Sequence, residues 1–202
     1  MRIVKYSLLF IGIAVCVVPA RAQQPANTQQ QPAKWPSHLN IAVTYSADRT
    51  NLTTGNSFWM QGGSAEVAGT LPHGFSAVAA ATGLHAGSIS TTQVPLSLLV
   101  FTFGPRYTWR TPWRPGNHDL NIFGQVLLGE AHGFDSVFPS SGGATSSASS
   151  LTIQAGGGAN LALPRHFSLR LLQAEWLHTQ LPNSGTNAQN HLRISTGVAL
   201  HF

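Results

Sequence analysis

From residue 192 to the end, the chain alternates without a break. Leu192, Ile194, Thr196, Val198, Leu200 and Phe202 fall on one side, and Arg193, Ser195, Gly197, Ala199 and His201 on the other. Side chains of a strand point alternately to its two faces, so this is a strand with one apolar face and one small or polar face. The same period of two recurs upstream. Residues 39–47 set Leu39, Ile41, Val43 and Tyr45 against Asn40, Ala42, Thr44 and Ser46. Residues 98–109 set Leu99, Phe101, Phe103, Tyr107 and Trp109 against Thr102, Gly104, Arg106 and Thr108, with Pro105 weakening the ladder locally. Residues 151–163 set Leu151, Ile153, Ala155, Ala159 and Leu161 against Thr152, Gln154, Gly156, Gly158 and Asn160.

Segments 58–71, 75–85, 120–131 and 167–179 bring the count to eight. The pattern in 120–131 is almost continuously apolar and leaves its facing open. In 167–179, Arg170 and Glu175 fall on opposite parities and can share a face only if a bulge lies between them. The connections alternate in length. Residues 48–57, 86–97, 132–150 and 180–191 are long and mostly rich in Gly, Ser, Thr and Asn, whereas 72–74, 110–119 and 164–166 are mostly short. Strands with one apolar face, short turns at one end and long loops at the other predict an eight-stranded antiparallel up-and-down transmembrane β-barrel. Its short turns and both termini would lie in the periplasm. Tyr45, Trp59, Trp109, Trp113 and Trp176 stand near strand ends, as interfacial girdles require.

The amino-terminus fits export. Arg2 and Lys5 precede an apolar run over residues 8–19, and Ala20-Arg21-Ala22 offers a small-residue cleavage site, so residues 1–22 read as a Sec-type signal peptide cut near Ala22. Residues 23–36, rich in Gln, Pro, Ala and Asn, read as a flexible periplasmic leader, and 37–202 as the barrel domain. Cleavage removes the single cysteine, Cys16, and with it any disulfide or thiolate chemistry. It also removes three cations, lowering the formal net charge from +5 to +2.

Only 8% of residues are charged, against roughly 25% in soluble domains. A lipid-facing surface accounts for that shortage, and no apolar run after the signal is long enough for a spanning helix. A soluble lipocalin-like barrel would need a charged exterior that this chain does not supply. With no basic cluster and no base-stacking motif, nucleic acid is not an expected partner.

With its signal peptide, eight amphipathic segments and carboxy-terminal aromatic, the chain resembles the OmpA-type outer-membrane β-barrel superfamily over residues 37–202. Its tail, with Ile194, Thr196, Val198, Leu200 and Phe202 on the apolar face, is similar to the signal read by the outer-membrane assembly machinery. Residues 169–176 resemble the penultimate strand of small porin-like barrels. The family's peptidoglycan-binding domain has no counterpart in these residues, so cell-wall anchoring by that route is not implied. The resemblance implies residence in the outer membrane, with lipids and that machinery as partners.

Candidate chemistry is sparse. The polar side chains expected to face the lumen are Glu66, Arg106, Gln125 or Glu130, Gln154, Arg170, Glu175 and Arg193. In a barrel this narrow they fill space and pair with one another, or else line a gated polar path. The nine histidines are scattered singly, without metal-ligand spacing; His73, His118 and His166 fall in the short turns. No metal or cofactor is expected. His178, Glu175, Ser168 and Ser195 supply hydrolase residue types without any motif that fixes their geometry, so no catalytic residue is assigned and the chain is not read as an enzyme. Residues 133–150 read as a mobile external loop that could meet an extracellular ligand. The sequence thus favours a structural or surface-interaction role, then a small-solute porin, and last a lipid-modifying enzyme.

Overall fold

The computed structural model describes residues 39–53, 56–89, 94–183 and 187–202. The expected signal peptide and leader, residues 1–36, lie outside the described residues. Eight strands follow in chain order: β1 (Leu39–Thr53), β2 (Asn56–Thr70), β3 (Phe75–Ala86), β4 (Leu96–Arg110), β5 (Leu120–Ser140), β6 (Gly143–Ala162), β7 (Phe167–Thr179) and β8 (Gln189–His201). Each pairs antiparallel with the next, and β8 returns to β1, closing the barrel. Leu39 and Phe202 exchange both backbone hydrogen bonds at the seam, at 3.2 and 2.8 Å.

The register fixes the geometry. One row of the ladder runs Thr70, Ser76, Arg106, Gln125, Gly156, Glu175, Arg193, Asp48 and returns to β2 at Met60, ten residues from where it left. With eight strands about 4.8 Å apart and a rise of about 3.3 Å per residue, that stagger tilts the strands by about 40°. From Leu192 to Leu200 the apolar face then spans about 20 Å along the barrel axis, within the apolar band of about 25 Å that outer-membrane barrels present.

The apolar faces turn outward. Val43, Phe101, Phe103, Val126, Leu151, Leu192, Ile194 and Val198 are all exposed. Tyr45, Trp59, Trp109, Trp113 and Trp176 are exposed too, on strands or in the β4–β5 connection. The ambiguous fifth strand resolves with Phe123, Gln125, Leu127 and Ala131 inward and Ile122, Val126 and Leu128 outward. The seventh strand carries the bulge its charges required: the register shifts between Arg170 and Gln173, Leu171 and Leu172 both face out, and Arg170 and Glu175 both face in.

Two of the three connections at the short-turn end are tight. The β2–β3 turn, Pro72–Gly74, places His73 at φ 62° and Gly74 at φ 84°, and the β6–β7 turn places Arg165 and His166 at φ 64° and 68°. The largest departure from the sequence pattern is at the other end. Residues 133–150, expected as a mobile loop, form a β-ribbon in which β5 and β6 stay paired to Ser140 and Gly143. Serine and threonine here are ribbon residues, because a strand that protrudes from its neighbours is solvated on both faces and needs no apolar alternation. β1, β2, β4 and β8 also run past the segments the alternation marks; in β1 and β8 the inward face stays buried but is polar, with Asp48, Thr50, Gln189 and His191 on it.

Candidate functional site

The ladder row traced above is also the site. Arg106, Gln125, Glu175, Arg193 and Asp48 are successive rungs with their side chains inside. The position between Gln125 and Glu175 is Gly156, and a Cβ there would lie 2.8 Å from Glu175 Cγ, so the missing side chain makes the room that Glu175 uses.

Two buried carboxylates organise the interior. Glu66 on β2 meets Arg106 of β4 at 2.5 Å and Arg170 of β7 at 3.0 Å. Glu175 accepts from Arg193 Nη2 at 2.7 Å, Gln125 Nε2 at 2.6 Å and Gln154 Nε2 at 2.5 Å. Gln125 Oε1 in turn accepts from Arg106, which joins the two halves into one network. Arg170 donates further to Asn160 Oδ1 (3.1 Å) and Gln173 Oε1 (2.8 Å), and Arg193 to Thr82 Oγ1 (3.1 Å). The ring of Phe123 lies beneath both Arg106 and Arg170, with guanidinium carbons 4.3 and 4.8 Å from its centroid. Every charge is thus paired in a medium where an unpaired one is costly.

The network includes Glu66, Arg106, Gln154, Arg170, Glu175 and Arg193, and takes Gln125 rather than Glu130. Glu130 is a correction: it is exposed on the outer wall, in register with Phe101 and Leu151. Its parity is that of Val126 and Leu128, and it stands where the outward apolar run of β5 ends and His132 follows, so the carboxylate borders the apolar band from outside. Sequence reasoning also missed a pair next to the network, in which His191 Nδ1 meets Asp48 Oδ1 at 3.0 Å and His191 Nε2 lies 3.3 Å from the hydroxyls of Thr50 and Thr179. Asp48 shares the inward parity of Ala42, Thr44 and Ser46, a signal lost when the first strand was ended at residue 47.

Toward the ribbon end the interior changes character. Phe58, Met60, Leu84, Leu96, Leu98, Leu177 and Leu181 pack into an apolar cluster, and Phe138 joins them, only 3% exposed. A bulge in β5 brings Phe138 in: the pairing with β6 shifts between Phe134 and Phe138, Asp135 sits at φ 59°, and its Oδ2 accepts from Ser97 at 3.0 Å. Gly133 leaves the space, since a Cβ there would sit 2.7 Å from the Phe138 ring. At the turn end a cavity of about 230 Å³ opens below Arg106.

The hydrolase residue types do not assemble. Glu175 is inside, whereas His178 lies on the outer side of the same strand, stacked on Trp176 and 3.1 Å from Asn190 Oδ1. Ser195 bonds Ser46, and Ser168 bonds His201. Among the described residues no three His, Asp or Glu gather as metal ligands do.

A closed eight-stranded up-and-down barrel with an apolar exterior and a paired polar interior is the fold of the small outer-membrane barrels. The similarity to solved structures is of that kind. The chain is similar to Neisserial surface protein A, with 12% identity over 81% of this chain and 97% of that one and a TM-score of 0.60. It is also similar to Ail, the attachment invasion locus protein of Yersinia pestis, solved with the heparin analogue sucrose octasulfate. That match has 15% identity over 82% of this chain and 98% of that one, and a TM-score of 0.54. At these identities the likeness is one of fold. No family model matches the sequence, and no curated protein matches it.

Proposed function

We propose that this protein is an outer-membrane barrel with a structural or surface-interaction role, and that its lumen does not conduct. The observation that carries the reading is the filling of the lumen, with a paired polar network across the middle and the Phe138-capped apolar cluster at the ribbon end. A path for solutes would have to break buried ion pairs and displace packed side chains together, each of which is costly. The small-solute channel draws support only from the turn-end cavity, which ends at Arg106.

In this reading the chain is exported through its signal peptide, with cleavage near Ala22, and lipids contact the outward apolar band. The assembly machinery reads Ile194, Thr196, Val198, Leu200 and Phe202. The short turns lie in the periplasm and the β5–β6 ribbon outside the cell. Over Gly143–Ser150 β6 pairs with β5 alone, because β7 begins to pair with β6 only at Thr152. Those β6 residues carry neither charge nor proline, the usual protections of a free edge, so the ribbon is the surface best suited to an extracellular partner.

Orientation can be tested directly, because the processed chain has no cysteine of its own. In Ser146→Cys, intact cells should label fully with a membrane-impermeant maleimide. Labelling only after the outer membrane is permeabilised would overturn the orientation, and with it the surface role.

A further inference from the structure

The turn-end cavity is lined by Asn40, Arg106, Arg110, Asn121, Asn160 and His201, together with the hydroxyls of Thr70, Ser76 and Thr108, and by no carboxylate. Glu66, the acid bonded to the lining residue Arg106, is shared by the two guanidiniums of Arg106 and Arg170, so one carboxylate faces two cations there. Arg110 at the rim adds another, and among the described residues it has no acidic partner.

The amides fit the same sign. Asn160 spends its oxygen on Arg170, which leaves its N–H groups as what it can offer a ligand. Asn40 Oδ1 is buried without a hydrogen-bond partner, while its Nδ2 lies 3.3 Å from His201 Nδ1. A half-turn of that amide would hand the oxygen to the imidazole and bring two N–H donors into the position now occupied by the orphaned oxygen.

We propose that this vestibule binds a small oxyanion, a phosphate or carboxylate group, held by Arg110 and the Asn121 and Asn160 amides below Arg106. A volume of about 230 Å³ suits such a group with a few waters and excludes a bulky ligand. The group could arrive as a dissolved ion along the barrel axis or as a lipid headgroup reaching round the rim.

The test is calorimetric titration of inorganic phosphate into the refolded mature chain in uncharged micelles. Binding should be saturable, and Arg110→Gln and Asn121→Ala should each weaken it by about tenfold, the usual weight of a charge-assisted contact. Arg114→Gln is the control, since Arg114 is exposed and already bridged to Asp119 at 2.8 Å. Absence of saturable binding, or equal weakening by Arg114→Gln, would overturn the site and leave an adventitious ion only. A repeat in nanodiscs separates the sources. Phosphate affinity that falls as phosphatidylglycerol replaces zwitterionic lipid marks a headgroup as the competitor, and unchanged affinity marks the dissolved ion; either supports the oxyanion chemistry.

Discussion

Glu66 and Arg170, 104 residues apart in sequence, meet at 3.0 Å inside the barrel, and Arg106 reaches the same carboxylate from β4. One acid therefore holds two buried guanidiniums, and its loss strands both. Glu66→Gln should lower unfolding stability by about 3–5 kcal/mol, the range for breaking a buried pair from one side. Urea unfolding followed by tryptophan fluorescence and by gel mobility of the unheated protein checks this. A loss below about 1 kcal/mol would mean that the arginines find water or other partners, as exposed pairs do.

Gly156 and Gly83 provide a matched contrast. A Cβ on Gly156 would lie 2.3 Å from the backbone oxygen of Ala174 and 2.6 Å from Glu175 Cα, whereas one on Gly83 meets nothing within 4 Å. Gly156→Ala should cost about 1–3 kcal/mol as an overpacked interior position, and Gly83→Ala should be neutral or slightly stabilising. Equal effects in the same unfolding assay would contradict the packing described around Glu175.

The bulge at Leu171 and Leu172 sets the shared parity of Arg170 and Glu175. Deleting Leu172 alone leaves Arg170 and Glu175 four positions apart and both inward under strict alternation, so refolding in micelles should survive, whereas deleting Leu171 and Leu172 together forces one of the two charges onto the lipid face, and refolding should fail. Deleting Ser147, in the ribbon beyond β7, should leave refolding intact. If the double deletion refolds as well as the single ones, the parity of the two charges does not govern assembly.

Phe202 has two separable roles. Its backbone closes the seam with Leu39, which any residue could do, whereas its aromatic side chain is exposed and belongs to the proposed assembly signal. Phe202→Ser should therefore refold normally in vitro yet accumulate less in outer membranes of cells. Unchanged membrane levels would remove the signal reading.

Most of the barrel was legible because lipid makes the alternation one-sided: Val43, Phe101 and Ile194 announce their faces. The bulge was legible as a conflict between Arg170 and Glu175. The ribbon was not, since Ser146 and Ser147 look the same in a loop and in a strand solvated on both faces. Nor was the network's membership complete. Glu130 and Gln125 are both plausible interior groups by type, and the choice between them rests on which parity of β5 faces in, a matter of register that its nearly continuous apolar sequence conceals. Asp48 and His191 were hidden by strand ends drawn too early, and Phe138 by a bulge with no sequence mark beyond Gly133 and Asp135.

The filled lumen is the centre of this account, and single-channel recording of the refolded mature chain in a planar bilayer tests it most directly. The expected result is silence from a barrel shown to be folded by its gel mobility. Steady, reproducible openings from the same preparation would contradict the sealed interior and put the channel reading first.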